Sequence, residues 1–331
     1  MFQVNSSTHQ GKNECRLLLT NNARTVSMII AMFPICCNGR FSLDHDVPAD
    51  FSLPQWDVIP LPVFLIIRVV EAAVMLVGAV YGIVISIQHD VGFGQFVYLT
   101  IWTYYAVTVY HIASAVCSLM GYIQLRRKVR SLDSCDTNKN KSCDLANDLD
   151  SSPEISIPPW LVRITWFMFD VSLSWSPVVA IVYWSVLHGL LSLDTVGKRY
   201  YNIQIHAVPG VTIILELLLS AVPVRMSHFL YPYLVGIIYL IFNAIYCLSG
   251  ALDPITGRNQ IYPFLDWIGN PAMCLVFGLV ISAVLIVTYF VLYLINIGKL
   301  KLSERFGSSQ RITRTSRGGR TAPSTSTVEE V

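Results

Sequence analysis

Apolar and polar positions follow one another along this chain in long blocks, not in short amphipathic repeats. After some sixty mostly polar positions come six apolar stretches, at about Leu61–Ile87, Gln95–Tyr122, Trp160–Leu191, Ile203–Val222, Pro232–Leu252 and Trp267–Ile297. At 1.5 Å per residue each is long enough to cross a hydrocarbon core of about 30 Å as a helix. The third is long enough to need tilt or an interfacial start. Pro223 ends the fourth. The pattern therefore predicts an all-α, polytopic transmembrane bundle of six helices, covering residues 60–298. Residues 1–59 form a polar N-terminal segment with a membrane-surface portion, and 299–331 a polar, basic tail. The loop 123–158 opens on RRKVR and continues through Asn, Asp, Lys and Ser. Loop and tail carry too little apolar surface to fold alone and are expected to be disordered.

Composition agrees with a membrane protein. Hydrophobic residues make up 53% of the chain and charged residues 13%, about half the charged share of a soluble domain. A net charge of +2 gives no reason to expect nucleic acid as a partner. The basic residues set the expected orientation. With both termini cytoplasmic, the inner side holds Lys12, Arg16, Arg24, Arg40, the basic residues from Arg126 to Lys141, Arg225, and those from Lys299 to Arg320. The outer side then holds only Lys198, Arg199 and Arg258, as the positive-inside rule requires. Arg68 and Arg163 lie within the first and third stretches, near their cytoplasmic ends, and are expected to snorkel.

Other features narrow the chemistry. Val26–Cys37 is apolar but too short to span. The eight cysteines show no metal or disulfide spacing, and Cys117, Cys247 and Cys274 are expected as small buried hydrophobes. The run from Phe41 to Trp56, FSLDHDVPADFSLPQW, is expected at the membrane surface. Its Asp44, His45 and Asp46 are read as a solvated turn, since adjacent side chains of a regular element cannot all face one ion. No metal or cofactor is expected.

Polar groups inside the apolar stretches mark candidate sites, because a charged residue there costs about 2.5–3.5 kcal/mol on insertion scales. Thr100 in the second stretch and His206 in the fourth enter from the same side, about 7–8 Å and about 6 Å deep. At matching depth on neighbouring helices they would make a nucleophile and its base. Taken singly, a transmembrane threonine usually bonds its own backbone and a histidine usually packs between helices. Glu216 lies about 15 Å beyond His206, too far to orient it, and is expected protonated or bonded to a neighbouring helix. Asp170 is placed in a shared polar network with Glu216. His111, on nearly the same face as Thr100 and three turns deeper, is placed as structural or as a second lining residue of the same cavity. Asn202, Tyr262 and Asp266 are placed at helix caps or the cavity mouth, and His228 at the inner turn, remote from Thr100.

Several blocks carry a resemblance. FVYLTIW (Phe96 to Trp102), HAVPGVTIILE (His206 to Glu216), MSHFLYP (Met226 to Pro232) and IYPFLDWIG (Ile261 to Gly269), with the LDHxxPxDFxxPQW block before them, resemble the rolling stone family of multi-pass membrane proteins. That resemblance covers nearly everything from Phe41 to Ile297 and implies a role in myoblast fusion during muscle development. More distantly, the same blocks are similar to the androgen-induced and androgen-dependent membrane threonine hydrolases, which split fatty acid esters of hydroxy fatty acids. That likeness implies Thr100, after Leu99, as nucleophile, and His206, ten residues before Glu216, as its partner. Ala207 stands where the hydrolases carry a polar residue, and Asp266-Trp267 where they carry Glu-His.

Two functions follow as expectations. One is a rolling stone-like organiser of cell fusion, meeting protein partners through its cytoplasmic loop and tail. The other is an intramembrane hydrolase of lipid esters, its substrate arriving laterally from membrane lipid. Both place the chain in the plasma membrane or the endoplasmic reticulum.

Overall fold

The computed structural model describes residues 41–136, 155–190 and 196–318. The chain divides into two units, Met1–Ser42 and Leu43–Val331. The first, with the Val26–Cys37 island, lies almost wholly outside the described residues, as do 137–154 of the loop and 319–331 of the tail. The second is helical, with no strand among the described residues. Its helices are α1 (Leu61–Gln88), α2 (Leu99–Asp136), α3 (Pro159–Val182), α4 (Val196–His206), α5 (Val208–Leu219), α6 (Leu230–Leu248) and α7 (Pro271–Gly318). With α4 and α5 forming one crossing, six helical stretches among the described residues are long and apolar enough to span a membrane. The protein is an integral, multi-pass membrane protein. The chain enters α1 and leaves the membrane in α7 at the same end of the bundle, the near end; the turn after Gln88 lies at the far end.

Proline and glycine set the helix boundaries. Pro60 precedes α1 and Pro158 precedes α3, each with proline again in the first turn, where its missing N–H costs nothing and its φ is already helical. After α1, Asp90 and Gly92 adopt φ of 58° and 50°. They turn the chain into the 3-10 helix Gly92–Val97 that leads to α2. The fourth crossing is not continuous as expected. It breaks at Ala207, because Pro209 has no N–H to give to the Ile205 carbonyl and its ring crowds that carbonyl. The helices also outrun their apolar stretches, α2 continuing to Asp136 and α7 to Gly318. Hydropathy marks where lipid contact stops, not where backbone hydrogen bonding does.

α3 is the central element, with 61% of its apolar window buried, against 17% for the α6 and α7 crossings, which face lipid. α1 buries one stripe, Phe64, Arg68, Glu71, Met75, Gly78, Ala79, Gly82 and Ser86, spaced by three and four residues as one helix face must be. Gly78 has a packing reason: a Cβ there would lie 2.2 Å from the Tyr104 hydroxyl oxygen.

The segment that runs up to Trp56 packs against the bundle. From Leu43 onward it is wedged into the near end, where Phe51, fully buried, packs in one cluster with Tyr110, Trp166, Phe169 and Leu217. Irregular backbone survives at this position only with its polar groups satisfied by protein. Gln55 N–H donates to Leu219 O (2.8 Å), Ala221 N–H to Leu53 O (3.2 Å), and the Trp56 indole to Leu218 O (2.7 Å). Asp44 pairs with Arg163 at 2.7 Å and His45 with Asp50 at 2.7 Å. Asp44 and Asp46 are exposed, as the expected solvated turn requires, and Asp44 in addition reaches Arg163.

Candidate functional site

The far end of the bundle holds a cavity of about 120 Å³ between α2, α3, α6, α7 and the loop joining α6 to α7. Its walls are mainly apolar, among them Val178, Val182, Leu240, Phe264 and Leu285, with hydroxyls from Thr100, Tyr262, Tyr239 and Ser282. Thr100 is half-buried in the first turn of α2. The chain just before it is pinned to the α6–α7 loop. Tyr98 donates its hydroxyl to Asp253, whose other carboxylate oxygen accepts the Thr256 N–H (2.8 Å) and hydroxyl (2.5 Å). Burial, reinforced by that bond, pushes the Tyr98 phenol up. The Tyr262 hydroxyl accepts the Leu99 N–H at 3.2 Å and is hydrogen-bonded with the side chains of Tyr239 and Thr100. Burial raises the Tyr262 phenol too, against the opposing effect of those bonds. It stays protonated at neutral pH and keeps a donor beside Thr100.

His206 is the last residue of α4, immediately before the break. Its ring lies face to face with Tyr183, centroids 3.4 Å apart and planes 13° from parallel. Its Nδ1 is 3.0 Å from the Asn202 carbonyl. A carbonyl only accepts, so Nδ1 carries the hydrogen and Nε2 the lone pair. Tyr183 opens a π-helical turn, Tyr183–Leu187, that interrupts the third crossing, a local geometry common at functional sites. Tyr183 also lines the cavity, whereas His206 does not. Thr100 therefore stands on the cavity wall and His206 beyond it, with Tyr183 touching both environments. α2 begins at Leu99 and α4 at Val196, so Thr100 sits in a first turn and His206 about 15 Å along its helix.

The remaining deep polar residues do not join this cavity. Arg68 does not snorkel: it is fully buried and pairs with Glu216, Nε at 3.1 Å from Oε1 and Nη2 closer still. Its Nη1 donates to Phe51 O (2.5 Å), Ser114 O (3.2 Å) and Ser118 Oγ (2.8 Å). With every face engaged, the guanidinium gains more from these acceptors than from reaching water. Glu216 is thus bonded to a neighbouring helix, one of its two expected states. Beside it His111, fully buried, lies 3.5 Å from Glu71 and does not line the cavity of Thr100. Among the described residues, the Asp170 carboxylate has His228 and Tyr289 as hydrogen-bond partners. It pairs with His228 at 2.7 Å, because the turn before α6 folds back against α3, where the Trp166 ring lies 4.6 Å from His228, tilted 57° to it. Of the expected mouth residues, Tyr262 lines the cavity, Asn202 anchors His206, and Asp266 accepts the N–H groups of Ile268 (3.2 Å) and Gly269 (2.8 Å) in the turn before α7.

Sequence reasoning passed over Tyr183, Tyr239 and Glu71, and gave Arg68 only a snorkelling role. For the last two the signal was present. Arg68 and Glu71 fall on the same face as Gly78, Gly82 and Ser86, and a stripe of small residues marks close helix contact, not lipid. For Tyr183 there was none, since a π turn leaves no trace in hydropathy.

The family model for Protein rolling stone matches residues 41–313. Protein rolling stone of Drosophila melanogaster is 29% identical over 208 residues, which cover 62% of this chain and 67% of that protein. No solved structure matches the chain.

Proposed function

Because the chain belongs to the rolling stone family, we propose that it serves cell fusion during muscle development and contributes by acting on lipid at the far-end cavity. The cavity carries this reading: an apolar space bordered by the two most lipid-exposed crossings, α6 and α7, with a hydroxyl cluster at Thr100, Tyr262 and Tyr239. Such a space takes an acyl chain along its walls and a polar ester at its hydroxyls. The bias of the basic residues supports a cytoplasmic near end, loop and tail, and in this reading the cavity belongs to the outer leaflet. The plasma membrane and the endoplasmic reticulum are both compatible with that placement.

In chemical form the reading is ester hydrolysis. The Thr100 hydroxyl attacks the acyl carbonyl, its proton passes to His206, the alcohol leaves with that proton, and water releases the acid from the threonine. Two features support it. The Asn202 carbonyl leaves Nε2 of His206 as the basic nitrogen, and Tyr262 supplies a protonated donor for the developing oxyanion. Tyr183 stacks on His206 and lines the same cavity as Thr100, and in this reading the proton reaches His206 through water.

Activity-based labelling of the full chain in native membranes tests this. A fluorophosphonate probe is expected to label the wild type and not Thr100→Ala, with turnover of lipid esters lost in Thr100→Ala and His206→Ala. No labelling and no turnover, with full fusion activity in Thr100→Ala, would replace the enzyme by an organiser working through protein partners at the loop and tail.

A further inference from the structure

Glu71 of α1, His111 of α2 and Glu216 of α5 bring three ligand-type atoms within 4.8 Å of one another. They are 7%, 0% and 1% exposed. Glu216 has its explanation in Arg68. The other two have none, since neither oxygen of Glu71 and neither ring nitrogen of His111 finds a hydrogen-bond partner among the described residues. A dry interior penalises such groups unless something replaces their water. Glu71 Oε2 and His111 Nδ1 stand 3.5 Å apart, too far for a good hydrogen bond. That separation is what two ligands on a tetrahedral ion show, with bonds of about 2.0–2.2 Å.

We propose that Glu71, His111 and Glu216 form a three-ligand site for a zinc-like transition-metal dication that ties α1, α2 and α5 together at the near end. An imidazole nitrogen in a small ligand set favours such an ion over magnesium or calcium, which need six or more oxygens. Arg68, bonded to Oε1 of Glu216 from two nitrogens, is the outer partner that fixes a ligating carboxylate. Tyr110 lies beside Glu216 and completes the polar surround. The charges are accounted for. Arg68 and Lys299, whose Nζ bonds Leu217 O (2.9 Å) and Ser220 O (2.8 Å), offset the two carboxylates, so the site holds its ion less tightly than one with unpaired acids.

The test uses the full chain in detergent, stripped with a chelator and dialysed against zinc, cobalt or magnesium in turn. One equivalent of zinc is expected to stay bound, cobalt to give the visible absorption of a low-coordinate nitrogen and oxygen site that zinc displaces, and magnesium not to be retained. Glu71→Gln and His111→Gln are expected to weaken zinc retention about tenfold or more, while Asp170→Asn leaves it unchanged. Glu71→Asp, which keeps the charge, serves as the folded comparison and binds with intermediate strength. Zinc absent from the wild type, or retained equally by the Glu71→Gln/His111→Gln pair, would overturn the proposal. So would a thermal stability that follows pH and ignores added zinc.

Discussion

The two ends of this bundle handle polar groups in opposite ways. At the near end, Arg68, Glu216, Asp170 and His228 are each fully or almost fully buried and tied to partners by short hydrogen bonds, with the Phe51 carbonyl drawn in as a further acceptor. At the far end the crossings come apart. α4 breaks from α5 at Ala207, α3 gives way to a π turn at Tyr183, and a cavity opens beside Thr100. Buried ion pairs fix one arrangement at the cost of desolvation. An apolar space with a few hydroxyls leaves room for a ligand. The contrast gives the near end an architectural role and leaves the far end as the place for the proposed lipid site, on the same helices.

The largest effect should come from splitting the central ion pair. Arg68→Met is expected to lower stability by about 3–5 kcal/mol by stranding Glu216, whereas Arg68→Met combined with Glu216→Leu recovers most of that loss. Unfolding midpoints in detergent give the comparison, and equal losses in single and double variants would deny the near end its role. A smaller difference should separate two glycines. A Cβ at Gly78 meets the Tyr104 hydroxyl at 2.2 Å and the Gln204 amide at 2.5 Å, so Gly78→Ala should cost about 1–3 kcal/mol. At Gly236 a Cβ meets only the Trp175 ring, at 2.6 Å, and that ring borders the cavity and has space to yield. Gly236→Ala should therefore cost less than Gly78→Ala, and the reverse order would mean that the cavity wall is packed more tightly than the buried stripe of α1.

The smallest effect concerns the pin before Thr100. Tyr98→Phe removes one hydrogen bond and should cost about 0.5–1.5 kcal/mol. Because the folded Tyr98 phenol is raised above its ordinary value of about 10, its contribution is complete below about pH 10. It is lost as pH rises toward the higher folded value. Wild type should weaken at alkaline pH more than Tyr98→Phe does, as unfolding midpoints against pH will show.

What the sequence revealed divides along the same line. Six crossings were legible because each apolar stretch is longer than a soluble helix core needs, and Glu216, Asp170 and His111 stood out because polar groups are costly there. Their partners were not legible. Asp170 meets His228 across 58 positions and Arg68 meets Glu216 across 148, and a single sequence carries no trace of which deep groups pair. The burial of Phe51 was hidden for a similar reason, since its segment is polar enough to pass for a surface run until its backbone bonds to Leu219 and Ala221 are seen. At the far end the residue types at Thr100 and His206 were readable, and the break at Pro209 was implicit in HAVPG. The stacking of Tyr183 on His206 was not, since it depends on how α3 loses its regular register.

The most direct measurement is photo-crosslinking of the full chain in native membranes with an acyl lipid bearing a diazirine on its chain, the adducts being mapped by mass spectrometry. Adducts should concentrate on cavity residues such as Leu240, Phe264 and Leu285, and should fall sharply in Ser282→Phe, which fills that space. Adducts spread evenly along the outer faces of α6 and α7, unchanged in Ser282→Phe, would contradict a lipid site at the far end.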